Sequence, residues 1–226
     1  LLLVTSCDRS RSADSPVRPD GVGQISLRVE WPAGVVSQKK AAQIDSMSAY
    51  VYSTSGAQVA RASLERVAGR GTASLLVPVG VGYSVELVAF LGENVAFIGN
   101  SGDIQIAAGE TVVVAVQMRS TLLTLRQLPS SDSMSEVAWL AVQGIDSYVL
   151  ESSSDYGFSD PLVAALATSA NARLVVNPER IFLRVRGTTA YGPGLWSSGI
   201  RLEVSTSSTD VLTVTLPGGR TMEFVW

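Results

Sequence analysis

The chain has no histidine, one cysteine, and few charges for its size. Its 226 residues carry 17 Lys and Arg against 20 Asp and Glu, for a formal net charge of -3. Without histidine there is no Ser-His-Asp or Cys-His catalysis, no His-ligated zinc and no His-bound haem. A lone Cys7 excludes an internal disulfide and a cysteine-only metal site. Lys39-Lys40 is the only adjacent basic pair, so no positive face is assembled that could displace counterions from nucleic acid. No apolar run reaches the roughly 20 residues of a membrane-spanning helix. What the chain does have is apolar residues, 46% of the total, enough to build a core rather than a disordered tract. Its length fits one or two domains.

The chain starts Leu1-Leu2-Leu3-Val4 without Met and ends at Trp226 within a strand-like pattern. It reads as a piece of a longer protein. Val4, Thr5, Ser6 and Cys7 place an aliphatic residue and two small ones before a cysteine. This resembles the end of a bacterial lipoprotein signal peptide, expected over residues 1–7. There the thiol is alkylated with diacylglycerol, and the peptidase that follows accepts only small side chains just before the cysteine. The resemblance implies lipidation at Cys7, membrane attachment, and a place in the bacterial cell envelope, periplasmic or at the surface. Each buried CH2 of an acyl chain contributes about 0.8 kcal/mol to such an anchor. Asp8 stands where an aspartate favours inner-membrane retention in some Gram-negative members of that family. Residues 8–22 follow as a polar, Pro-containing stretch without periodicity, the composition of a tether.

From Gln24 to Trp31 polar and apolar residues alternate strictly, with Ile25, Leu27, Val29 and Trp31 on one face. That period predicts a half-buried strand. Further strands are expected over Ile44–Tyr52 (Met47, Ala49 and Val51 on one face), Ser74–Val79 (Leu75, Val77 and Val79 together) and Tyr83–Leu91. A hairpin around Gly92-Glu93-Asn94 leads to Val95–Ile98, then to a short strand holding Ile104 and Ile106. Thr111–Met118 closes the set after an Ala108-Gly109-Glu110 turn. Pro78 marks an edge or a bulge. Residues Val35 to Ile44 read as one helical turn or a long loop, of which we prefer the loop. Short strands with regular turns predict a β-sandwich over 23–119. The turn before Tyr83 and the Ala-Gly-Glu-Thr turn before the last strand resemble transthyretin-like and Ig-like modules of bacterial surface proteins. Tyr50 and Tyr52 share a face and form a candidate glycan platform; the alternative, which we prefer, is a central strand covered on both sides.

Residues 122–205 resemble a fibronectin type III domain. The blocks are Glu136-Val137-Ala138-Trp139, Gly144 to Ser152 with Tyr148-Val149-Leu150-Glu151, Tyr156 to Pro161, Ile181 to Arg186, and Gly192-Pro193-Gly194-Leu195-Trp196-Ser197. The inward residues expected are Val137, Trp139 and Ala141; Tyr148 and Leu150; Leu174 and Val176; Ile181, Leu183 and Val185; and Ile200, Leu202 and Val204. The family's corner tyrosine is replaced here by Ile181 or Phe182, so residues Asn177 to Arg180 are expected to be looser. Asp155 and Asp160 read as turn formers rather than Ca2+ ligands, which would need six or more oxygens. Tyr156 and Tyr191 complete the candidate binding residues.

After a polar linker, residues 209–226 form a hairpin around Leu216-Pro217-Gly218-Gly219, followed by Met222-Glu223-Phe224-Val225-Trp226. This resembles the opening of the formylglycine-generating, sulfatase-modifying-factor family. Its catalytic copper-binding cysteines lie far downstream of this segment, so no activity carries over to these residues.

The expectation is an all-β chain: two consecutive Ig-like or fibronectin type III-like sandwiches with a C-terminal β-hairpin. It would act as a non-catalytic, lipid-anchored spacer and interaction region presenting a downstream domain, without a cofactor and without nucleic acid. One rival is a glycan- or protein-binding adhesion module. The other is an accessory region of a formylglycine-generating-type enzyme. The sequence sets no oligomeric state.

Overall fold

The computed structural model describes residues 21–30, 44–67, 70–129, 134–175, 177–203, 212–215 and 221–224. Cys7, the tether through Asp20, Trp31, most of the stretch from Val35, Val176, Val204 and the Pro-Gly-Gly turn lie outside the described residues. The described chain is all-β. In order, its strands are β1 Val22–Glu30, β2 Ser46–Tyr52, β3 Gln58–Ser63, β4 Glu65–Val67, β5 Arg70–Pro78, β6 Gly80–Leu91, β7 Asn94–Ile106 and β8 Thr111–Gln117. There follow β9 Arg119–Ser120, β10 Arg126–Leu128, β11 Met134–Ala138, β12 Ser147–Ser153, β13 Leu162–Ala167, β14 Asn171–Val175, β15 Phe182–Thr189, β16 Gly192–Pro193, β17 Ile200–Arg201, β18 Leu212–Thr215 and β19 Thr221–Phe224. The chain divides into two compact units, residues 1–89 with 99–118, and residues 90–98 with 119–226.

In the first unit the alternation of β1 becomes a three-strand row. β1 pairs antiparallel with β5 and parallel with β8, so Leu75, Ile25 and Val112 stand side by side on one face. Ile25, Leu27 and Val77 are almost fully buried. The sheet order is β4-β5-β1-β8, and β2 lies between β3 and β6 in a second sheet. Buried Ala49, Val51, Val85 and Leu87 come from that second sheet. The β6–β7 turn is two residues long, with Gly92 at φ 58°; a positive φ at the first turn position suits a hairpin and costs glycine nothing.

Two expectations change here, on Val79 and on Ile104 with Ile106. Val79 does not join Leu75 and Val77: β5 ends at Pro78, and the Val79 N–H donates to the Gly21 carbonyl, leaving its side chain exposed. Ile104 and Ile106 do not form a separate strand but end β7, which bends at Asp103 with φ 57°. Strands β3 and β4 carry no apolar alternation that would have announced them. Tyr50 is buried under the Arg61 guanidinium, 5.0 Å from the ring centroid.

The second unit is a fibronectin type III-like sandwich. One sheet is β10-β11-β14; the other is β13-β12-β15-β16, with β17 also on β15. Between them lie Val137, Trp139, Tyr148, Leu150, Leu174, Leu183, Val185 and Leu202. The Trp139 and Tyr148 rings meet edge to face with centroids 5.0 Å apart, a geometry favoured by the ring quadrupoles. Burial of roughly 200 Å2 at ~25 cal/mol per Å2 makes Trp139 worth several kcal/mol. Ala141 is exposed, because β11 stops at Ala138 and the alternation stops with it.

Residues 90–98 belong to this unit through β9, with Phe97 opposite Ser120 and Ile98 opposite Arg119. Fully buried Thr121 locks the arrangement. Its hydroxyl donates to the Val95 carbonyl and accepts from the Leu195 N–H. The stretch expected to be loose, Asn177 to Arg180, is held by Asn177: its side-chain oxygen accepts the Glu179 N–H at 2.9 Å and its carbonyl the Arg180 N–H at 2.9 Å. The C-terminal hairpin pairs Leu212 with Phe224 through Thr215 with Thr221.

Candidate binding face of the second unit

Strand β15 alternates Leu183 and Val185 inward with Arg184 and Arg186 outward, as a two-residue period dictates. The segment after β16 runs beside it. The Ser197 N–H donates to the Val185 carbonyl at 2.8 Å, and the Val185 N–H donates to the Ser197 hydroxyl at 3.0 Å. This double tie sets Trp196 over the two arginines. Arg184 lies 4.4 Å from the Trp196 ring centroid and Arg186 lies 4.3 Å from it. Phe158 adds a second ring 4.4 Å from Arg184. The result is a stack of alternating rings and cations, each contact of the kind that contributes about 0.5–2 kcal/mol.

The two arginines differ. Glu151 on the neighbouring strand accepts from Arg184 Nε at 3.0 Å and Nη2 at 2.7 Å. Arg186 stands opposite Val149 instead, and its buried Nε has no hydrogen-bond partner. Among the described residues, the contact that holds the Arg186 cation is its stack on Trp196.

The Ser153–Asp160 loop closes one end. Phe158 turns its ring inward with φ 53° and lies where a side chain at Gly199 would collide, 2.7 Å from an added Cβ. Asp160 accepts from the Ser153 hydroxyl at 2.6 Å and from Arg180 Nη1 at 2.8 Å. The Ser153 hydroxyl chiefly, then the Ser154 N–H and hydroxyl and the Arg180 charge, lower the Asp160 pKa to about 2, against the opposing effect of partial burial. Asp155 is lowered mainly by the Ser159 hydroxyl. Both carboxylates are engaged by the loop's own donors. Among the described residues no three His, Cys, Asp or Glu side chains gather as a metal site.

The tyrosines expected to bind do not converge. Tyr50 is 8% exposed and lies in an interior strand, so the exposed-pair reading gives way to the covered-strand one; Tyr52 is half-buried. Tyr156 is 62% exposed and rests edge-on against Phe182, centroids 5.9 Å apart. Tyr191 is half-buried beyond the other end of β15, its N–H donating to the Thr189 hydroxyl at 3.1 Å. At about 3.3 Å per residue, β15 separates them by roughly 20 Å. The ring and cation stack was missed. Its signal was present as Arg184-Val185-Arg186 with Trp196 ten residues on, but nothing in the sequence aligns the two segments.

No protein-family model matches the chain, and no curated protein matches it. Several solved structures are similar in part. A two-domain fibronectin type III segment of chicken tenascin is 15% identical, covering 70% of this chain and 85% of that one with a TM-score of 0.34. A DUF3823-family protein from Parabacteroides merdae is 12% identical over 82% of this chain and 100% of that one, TM-score 0.29. A fimbrial assembly protein from Parabacteroides distasonis is 8% identical over 82% and 86%, TM-score 0.33. With scores this low, the fold assignment rests on the strand pairing and burial described above.

Proposed function

We propose that this chain is a non-catalytic, lipid-anchored region of a bacterial envelope protein whose two β units act as spacer and interaction modules for a downstream domain. The observation that carries this reading is the order of the chain. A small-residue box ends in Cys7, a polar tether follows, and an ordered β unit then begins at Val22. The charged residues around the Ser153–Asp160 loop support it, since Asp155, Asp160, Arg180, Glu151 and Arg184 are spent on internal pairing. The test is metabolic labelling with palmitate in a bacterial host, with a full signal peptide placed before Leu1. Label is expected on the chain and lost in Cys7→Ser; label that persists in that variant would sink the anchor.

A second reading, an adhesion module for glycan or protein, has one observation in its favour: Arg186 stacks on Trp196 without an acidic partner among the described residues. A glycan array probed with the whole chain separates the two. Selective binding lost in Trp196→Ala would replace the spacer reading with the adhesion one. The formylglycine-generating resemblance at 209–226 stands or falls on the reading frame after Trp226. An Ile-Pro-Gly-Gly-Thr-Phe type continuation supports an accessory role beside such a domain, and any other continuation removes it.

A further inference from the structure

Strand edges in the second unit are treated unequally. β10 carries Arg126, β14 carries Arg173, and β16 is only Gly192 and Pro193. Charges, proline and shortness are the usual devices that stop an open edge from pairing with another chain. Among the described residues β13 ends its sheet, pairing with β12 on one side only. Its sequence is Leu-Val-Ala-Ala-Leu-Ala, without charge, proline or glycine. Leu162, Val163 and Leu166 are 57%, 61% and 77% exposed. Its one protective feature is a bulge at Ala164, where the pairing passes from Ala165 opposite Leu150 to Val163 opposite Glu151.

We propose that β13 is a self-association edge, on which the β13 strand of a second copy adds antiparallel to extend the sheet. An open edge presents backbone N–H and C=O groups, so its occupant must be another extended strand. An identical strand fits for two reasons. No charge in β13 opposes its own copy. A two-fold axis between Ala164 and Ala165 also sets Val163 opposite the second copy's Leu166. Both residues lie on the outer face, since their β12 neighbours are Glu151, which reaches the outward Arg184, and Val149, which stands opposite the outward Arg186. Apolar cross-strand pairs of this kind stabilise a sheet. Six residues of edge bury far less than the roughly 800 Å2 per partner of a stable dimer, so association is weak. It is independent of the lipid reading.

The test uses the full chain in sedimentation velocity from about 10 μM to 1 mM, the range in which so small an interface is expected to act. The sedimentation coefficient is expected to rise, with a midpoint above about 100 μM. The double variant Val163→Lys with Leu166→Lys should shift that midpoint at least tenfold, because like charges face each other across the axis. Leu140→Lys, an equally exposed residue outside β13, should leave it unchanged. Mixing the double-lysine chain with Val163→Glu, Leu166→Glu should restore association as a mixed dimer. Hydrogen exchange adds a site-resolved check: those amides of 162–167 that do not bond to β12 should gain protection only at high concentration. A coefficient flat to 1 mM, equal loss in Leu140→Lys, no rescue on mixing, or protection at 10 μM of the β13 amides that do not bond to β12 would each overturn the proposal. The last outcome would mean that a segment of the same chain covers the edge.

Discussion

The two units bury their cores differently. The first relies on many aliphatic residues, among them Ile25, Leu27, Val51, Val77, Val85, Leu87 and Val88, each essentially inaccessible. The second gathers fewer around one indole, Trp139, with Tyr148 against its edge. A distributed core loses a little at each position, whereas a core built on one large ring concentrates its stability there. The same contrast appears outside the core. The second unit holds a cation stack and a serine-rich carboxylate loop on named partners, and this polar scaffold fixes its loops.

Substitutions sharpen that contrast. Trp139→Ala should destabilise the second unit by about 3–5 kcal/mol, read as loss of slow hydrogen exchange in β11, β12 and β15 with β1 and β5 retained. Retained protection in β12 would show that the ring is not central. In the first unit Leu87→Ala is expected to cost about 2–4 kcal/mol and Ile25→Val only about 1 kcal/mol, measured by the same exchange in β1 and β6.

The two arginines on β15 give a smaller, sharper test. Arg184→Met removes the partner of a partly buried Glu151 and should cost about 1–3 kcal/mol. Arg186→Met removes one stacking contact but also relieves a buried, unsatisfied Nε; the two effects offset, and stability should change by less than about 0.5 kcal/mol. Equal losses in urea unfolding would refute the distinction.

The smallest effect is in pH. A lowered folded pKa means that the Asp160 contribution is full above the unfolded value near 3.8 and fades as pH falls toward about 2. Carboxyl NMR should place the Asp160 midpoint near 2, and Arg180→Met should raise it modestly; a midpoint near the unfolded value in the native chain would remove the hydrogen bonds inferred for it.

Much of the fold was legible. β1 announced itself because one face is buried and the other wet, so period two survives in the sequence. Trp139 and the β15 alternation were legible for the same reason. β3 was not, because no side chain of Gln58–Ser63 is fully buried and the half-buried Val59 and Ala60 are neighbours that mark no single apolar face. The candidate site was less legible still: of the four tyrosines singled out, Tyr50 is covered, Tyr52 is half-buried, and Tyr156 and Tyr191 stand at opposite ends of β15. Which rings meet depends on long-range register, and local pattern carries no record of that.

By itself the sequence determined the class of structure, the places where strands bury a face, and the exclusion of histidine chemistry, since all three follow from residue type and spacing. Only the tertiary structure decided that β1 lies parallel to β8, that residues 90–98 join the second unit through Thr121, and that Trp196 lies over Arg184 and Arg186. It also decided that the uncharged β13 is left at an edge. These are pairings between distant segments, chosen by the closing of two sheets over a common core, and no local pattern encodes which partner a strand will find.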